Sequence, residues 1–506
     1  MSSVLTANNS SLNGFAAGAE PAARPKETGS TGDAKSSHVV VLGAGPAGAG
    51  AAYRLTQRPG LEVTVLEQRD AVGGNAGSFS LDGVSCDYGS HRLHPVVAPD
   101  VMRDMEMLLG DDLLWRVRHG RILLKGRWIH FPLKPVDLLL RVPPSFALSI
   151  ARDILSKPFR RSPAGAETFE TILRGSLGPT ICNEFYFPYA RKLWGIEPRD
   201  LAETAARRRV SGSSIGKILK KIAGQIPGLK SKTAGRFYYP RGGFGQIAGR
   251  YAEAAQAAGA DFRFQARVTG IETEGNRVTG VRYEQDGQEK LIAADFVWST
   301  LPVSLLARFV RPTPPSEVVE AARAMKFRGM ILIYLILETD QFSTTDAYYF
   351  PETFIPVSRM SEPKNFTGTT EPKGRTVLCA ELPSDPGQPE WDLSDEELGR
   401  RLTGWLERAG LPVKAPINRV VTRRLSHAYP VYTRDFESRQ ATLDAWIEGI
   451  DGLLTFGRQG LFAHDNTHHA LATAYAAVDC LAPDCVLDRT RWAEYRRQFE
   501  SHVVED

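Results

Sequence analysis

The sequence predicts an α/β protein, a parallel-sheet domain carrying α+β insertions, and three observations predict it. From His38 the chain reads VVVLGAGPAGAGAAYRLTQRPGLEVTVLEQRD, an apolar strand, a glycine turn, an alanine-rich helix and a second strand. That order is a βαβ unit. A strand, a glycine turn and a small-residue helix return near the other end, in LLTFGRQGLFAHDNTHHALATAYAAVDCL, residues 453–481. Between the two lie a mainly helical stretch and several long apolar strands, so the parallel sheet must draw on separated parts of one chain.

Taken in order, residues 1–36 are rich in Ser, Ala, Gly, Asn and Pro and lack an apolar run behind a basic start, which predicts a disordered leader. Residues 37–105, 233–308 and 425–490 are assigned to the discontinuous parallel-sheet domain. From about Val101 the pattern is mainly helical (VMRDMEMLLGDDLL, FALSIARDILSK, ETFETILRGSLG, DLAETAARRR) with one strand-like pair at RILLKGRWIHFPL, and residues 106–232 are assigned to a mainly helical cap. The segment 309–424 carries strand patterns such as MILIYLILE and TVLCAELP between proline-rich loops, and predicts a substrate-facing sheet. No fixed-period repeat occurs, which excludes solenoids and propellers.

Composition narrows the function classes. At 506 residues, 42% hydrophobic and 24% charged, the chain is long enough for two or three domains. A formal net charge of +4 is too small to argue for nucleic acid. The longest apolar run, from Met330 to Glu338, is far shorter than the roughly 20 residues that span a bilayer. Five scattered cysteines without a CxxC pair suit a reducing compartment, and the expected location is the cytoplasm.

The first glycine turn carries the clearest chemistry. Gly43, Gly45 and Gly48 lie in GxGxxG spacing between strand and helix, with Pro46 and Ala47 inside the motif. The first glycine permits the tight turn, the second lets backbone N–H groups approach a pyrophosphate, and the third lets helix and strand pack closely. Glu67, followed by Gln68, ends the second strand about 20 residues on, where an acidic residue accepts hydrogen bonds from a ribose. The turn therefore predicts a dinucleotide. Soon after comes a second pair, Gly73-Gly74, then Asn75 and Ala76, in GGNAGSF. Another backbone segment brought against the dinucleotide suits a large ligand held in extended form, and this favours FAD over NAD.

At GGNA and the following YGSHRLHP the sequence resembles the FAD-dependent superfamily of amine oxidases, protoporphyrinogen oxidases, phytoene desaturases and UDP-galactopyranose mutases. The resemblance runs from residue 38 to about 490, and YARKLWGIEPRDLAETAARRRV, YYPRGGFGQI, MKFRGM and FGRQGLF extend it. Gly-Gly-Asn-Ala looks like the mutase branch. The resemblance implies a glutathione-reductase-like Rossmann FAD domain with a helical cap and a substrate-binding sheet. It further implies that His91 stands beside the flavin, that Trp194 lies in the pocket, and that Arg208 and Arg328 hold a substrate diphosphate. Gly457 and Arg458 match the late motif that closes over the flavin, and Val268, Asn466 and His468 complete the expected cofactor contacts. The mutases' tyrosine-rich stretch is replaced here by LFAHDNTHH, which speaks against UDP-galactopyranose.

Two clusters remain. His464, His468 and His469 with Asp465 include the i, i+4 spacing of metal ligands, but they immediately precede a small-residue helix that the resemblance points at the flavin, so no metal is expected. Eleven basic residues and no acid fall between Thr204 and Ala252. Arg208 among them suits a planar anion, while KILKKIAGQIPGLK has the spacing of an interfacial helix and opens a peripheral membrane contact as an alternative. The expected function is an FAD-dependent oxidoreductase of the oxidase or desaturase type, moving hydride from a small organic substrate to flavin N5. The alternative is a mutase-like isomerase acting on a nucleotide-sugar or other diphosphate through reduced FAD.

Overall fold

The computed structural model describes residues 36–134, 137, 140–157, 166–210 and 235–502. The expected leader, save Ser36, and the whole of KILKKIAGQIPGLK lie outside the described residues. What is described belongs to one unit that begins at Ser36 and has a mixed α/β architecture.

The βαβ reading holds at the start of the chain. Strand β1 (Ser37–Leu42), helix α1 (Pro46–Leu55) and strand β2 (Leu61–Leu66) follow one another, and the strands pair in parallel from Ser37 opposite Leu61 to Leu42 opposite Leu66. Five parallel strands make the sheet, in the order Leu453–Thr455, Phe296–Ser299, β1, β2, Asp261–Arg263. Side chains alternate across a strand, so a strand covered on both faces must be apolar at every position. In β1, Val39 and Val41 enter a core with α1 and the helices Gln246–Ala257 and Thr467–Asp479. Val40 and Leu42 enter the opposite core, with Val268, Ile271 and Val281 of a four-stranded sheet formed mainly by Arg267–Glu274, Arg277–Gln285 and Gln288–Ala293.

A seven-stranded mixed sheet forms a separate layer. Its order is Ile417–Pro430, Phe327–Leu337, Thr376–Pro383, Arg359–Ser361, Ala347–Tyr349, Gly120–Leu124, Arg127–Phe131. The same two-sided logic explains the apolar run in its longest central strand. Ile331, Ile333 and Leu335 pack with Leu398, Leu402 and Leu406, spaced four apart on the helix Asp395–Arg408. Met330, Leu332 and Tyr334 point into the large core on the other side. The strand-like pair at RILLKGRWIHFPL thus becomes the outer hairpin of this sheet, and its neighbour Leu113–Val117 pairs with Arg236–Pro240. Helices in this part of the chain include Pro144–Ser156, Phe169–Leu177, Phe187–Trp194 and Glu203–Val210.

Candidate functional site

The two glycine turns meet. Gly43 has φ +95°, a backbone state that favours glycine, and a Cβ on Gly48 would come 1.8 Å from the Gly43 carbonyl oxygen, so helix α1 can start close to the turn only with glycine there. A Cβ on Gly45 would meet nothing within 4 Å. The second turn docks on the first: Gly73 N–H donates to the Ala44 carbonyl at 2.8 Å, and a Cβ on Gly74 would lie 3.3 Å from Gly45 Cα. Glu67 fastens the arrangement, its carboxylate accepting from Ala44 N at 2.8 Å and Arg69 N at 2.9 Å. Buried carboxylates need such donors, and each oxygen keeps a lone pair for a further one.

In front of these turns lies a cavity of about 650 Å³. Gly43, Gly45, Pro46, Ala47, Glu67 and Gln68 line one part of it, joined by Gly74, Asn75 and Ala76 of the second turn. It extends past Val268 and His91 to the seven-stranded sheet, where Leu332, Arg359, Glu381 and the stretch Arg424 to Tyr429 contribute. Arg458, His464, Asp465, Asn466 and Thr467 close it, the last three at the start of the helix Thr467–Asp479. Arginines well outnumber carboxylates on the wall.

His91 is held rather than free. Its Nε2 lies 3.0 Å from the Asn75 carbonyl and 3.1 Å from the Tyr88 carbonyl, so Nε2 carries the proton and donates. The ring stacks on Phe244 at 5.2 Å, which RGGFGQI supplies by packing against the strand after the second turn: Gly245 N–H donates to Ser78 Oγ at 2.7 Å. Burial holds His91 below the usual imidazole range, with Arg359 acting in the same direction and Asp87 opposing. The ring is neutral near pH 7. Asp87 beneath it is pushed up by burial although Ser78 Oγ, Tyr239 Oη and Phe244 N all donate to it.

Other expected residues are placed differently. Trp194 packs edge-on against Phe169 at 5.5 Å and is absent from the cavity wall. Arg208 donates to Tyr432 Oη at 2.9 Å, and Tyr432 in turn accepts from His464 N. Arg328 donates to Asp385, Gln388 and the Pro383 carbonyl. A register shift between Arg328 and Met330 accompanies this turn toward Asp385, and a Cβ on Gly329 would meet the Ser384 carbonyl oxygen at 2.3 Å. Neither arginine lines the cavity, and the structure does not bring the two together over it. His468 is also absent from the wall; burial, then His469 and His94, lowers its pKa to about 3. Gly48, Gly73 and Gly457 act behind the wall by close packing: a Cβ on Gly457 would lie 2.7 Å from the Ala47 Cβ. Arg458 reaches the wall and donates to the carbonyls of Asp465 and Ala428.

Sequence reasoning missed Ser90, Arg359 and Glu381. Arg359 and Glu381 form a two-pronged ion pair, both contacts at 3.0 Å, and Glu381 also accepts from Ser90 N. A glutamate inside the otherwise apolar TVLCAELP was the available signal, because a buried charge needs a partner.

The fit to a flavin dinucleotide follows from these atoms. Gly45 leaves a gap that a side chain would fill, and Ser90 Oγ and Gln459 Oε1, both on cavity-lining residues, are buried without a protein partner. Among known proteins, a family model described as flavin containing amine oxidoreductase matches residues 47–470. A phytoene dehydrogenase of Streptomyces griseus is 28% identical over 320 residues, 56% of this chain and 59% of that protein. The chloroplastic protoporphyrinogen oxidase 1 of Spinacia oleracea is 25% identical over 296 residues, 54% of this chain and 51% of that protein. The chain thus aligns with little more than half the length of either relative. A solved structure of reduced UDP-galactopyranose mutase superposes with a TM-score of 0.77 at 19% identity, covering 93% of this chain and 100% of that one, which speaks to fold alone. With most of its length matched, from the helix of the first glycine turn to the start of the helix Thr467–Asp479, the chain belongs to the flavin-containing amine oxidoreductases, enzymes whose cofactor is FAD.

Proposed function

We propose that the protein is an FAD-dependent oxidoreductase of the oxidase or desaturase type, acting on a small organic substrate with anionic character. The observation that carries the reading is the joined pair of glycine turns opening onto a cavity that continues beneath the seven-stranded sheet. In this reading Gly43 to Gly48 and Gly73 to Ala76 form the cradle of a glutathione-reductase-like Rossmann domain. Glu67 and Gln68 lie at its ribose end, and Val268, Arg458 and Asn466 flank it. The start of the helix Thr467–Asp479 offers N–H groups and a positive dipole to an electron-rich edge.

When bound, FAD supplies a two-electron acceptor for hydride. The protein's part is to bind, orient and exclude water. His91, with Nε2 committed to two carbonyls, is a positioning residue that fixes the second glycine turn. Tyr429, stacked on His464 at 4.8 Å, and Leu332 give the cavity an apolar side, while Arg118 gives it positive charge. Free thiols at all five cysteines support a reducing compartment such as the cytoplasm. Among the described residues no helix is long and apolar enough to cross a membrane.

The isomerase alternative needs Arg208 and Arg328 at a diphosphate, and both guanidiniums are engaged outside the cavity. The test is anaerobic: carboxylate-bearing amines, isoprenoid acids and polyols are mixed with the yellow holoenzyme, and the flavin's visible band is followed. Bleaching by one class, with oxygen uptake once air is admitted, is the expected result. If no class bleaches it, while UDP perturbs the reduced flavin saturably, the oxidoreductase reading is wrong.

A further inference from the structure

Beside the start of the helix Thr467–Asp479, a buried carboxylate has its nearest donors just beyond hydrogen-bond distance. Asp465 is 1% exposed, and no donor comes within hydrogen-bond distance of either oxygen, the imidazoles of His502 and His469 standing just beyond. A buried charge held only by partners beyond hydrogen-bond distance is costly. The adjacent helix N-terminus does not satisfy it, because no backbone N–H reaches either oxygen. Arg208 lends it positive charge from a distance, yet its hydrogen bond goes to Tyr432.

Two imidazoles stand against the carboxylate. His469 Nδ1 is 3.9 Å from Asp465 Oδ1, and His502 Nδ1 is 3.6 Å from Asp465 Oδ2. Both separations exceed hydrogen-bond range. One ligand atom from each of the three residues lies within 4.8 Å of the others. Around a tetrahedral ion with bonds of about 2.0–2.2 Å, ligand atoms are roughly 3.4 Å apart, and the two imidazole–carboxylate separations approach that value. The nitrogens also have the right state. His469 Nδ1 is unprotonated, since it accepts the Asn466 N–H at 3.3 Å, a bond that coordination would replace, and His502 Nδ1 is buried without a hydrogen bond.

We propose that Asp465, His469 and His502 form a binding site for one borderline divalent transition-metal cation, of the Zn²⁺ type, with water completing the coordination. Two imidazoles and a carboxylate are donors that such ions accept readily, whereas Mg²⁺ and Ca²⁺ favour all-oxygen sets. The ion neutralises Asp465 and ties His502, three residues past the helix Arg489–Phe499, to the helix that borders the cavity. The site stands independently of the oxidoreductase reading, since it invokes neither hydride transfer nor substrate.

The test uses the full chain with FAD bound. The protein is treated with a chelator, dialysed against Zn²⁺, desalted and assayed for zinc by elemental mass spectrometry, with the flavin spectrum as the control for folding. Expected is about one zinc per chain, lowered at least tenfold in His502→Ala and His469→Ala while the flavin is retained. Cys485→Ser, which removes the partly exposed thiol, keeps its zinc. A wild-type protein that retains no zinc overturns the proposal. Zinc retained equally by wild type and His502→Ala overturns it too.

Discussion

Gly45 and Gly48 are two residues apart in the intervening sequence yet fail for opposite reasons when enlarged. A side chain at Gly45 projects into open space, so Gly45→Val should fold normally but occlude the cradle. We expect unchanged far-UV circular dichroism with FAD content reduced at least tenfold; full flavin occupancy in this variant would place the dinucleotide elsewhere. At Gly48 the added methyl runs into the Gly43 carbonyl, and backbone cannot yield as a side-chain tip can. Gly48→Ala should therefore lose about 3 kcal/mol of stability, the upper part of the usual overpacking cost, read by denaturant titration. Such glycines are legible in sequence because the demand is local, a turn and a close approach within a few residues. Arg328 was not legible in that way. Its motif suggested an anion ligand, but the register shift and Asp385, 57 residues away, decide where its guanidinium goes.

At the scale of elements, periodicity predicted strands and helices well, and their neighbours less so. RILLKGRWIHFPL was readable as a strand pair, but its membership of the seven-stranded sheet depends on pairing Gly120 with Ala347, far along the chain. The helix Phe187–Trp194 shows the same division. Its amphipathic pattern is local, while the use of Lys192 is not: Nζ donates to the carbonyls of Phe350, Glu352 and Val357, and burial draws its pKa down to about 7. These carbonyls belong to the loop leading into Ser358 and Arg359 on the cavity wall. Lys192→Met keeps the length of the side chain and removes the donor. It should cost about 2–4 kcal/mol, since buried acceptors are left unsatisfied, and should raise the protease sensitivity of the loop. Stability within about 0.5 kcal/mol of wild type would show the loop to be held by other contacts.

For the whole molecule, the cavity is bordered by both the parallel sheet and the seven-stranded sheet, so a ligand filling it couples the two layers. A ligand that binds only the folded state stabilises it by mass action, about 4 kcal/mol at a free concentration a thousandfold above its dissociation constant. Removing FAD should accordingly lower the melting temperature by several degrees, and adding it back should restore the loss. Equal melting temperatures with and without flavin would contradict a cofactor shared between the layers. By itself the sequence determined the βαβ start, the two glycine turns, the acidic strand end and the flavin family, because each is written in residues close together and demanded by backbone geometry. Only the tertiary structure decided that His91 is locked by two carbonyls, that Arg208 and Arg328 stand outside the cavity, and that His502 joins Asp465 and His469. The physical reason is common to all three. A side chain's chemistry depends on which partners the fold brings within hydrogen-bond or ligand distance, and those partners are set by long-range packing.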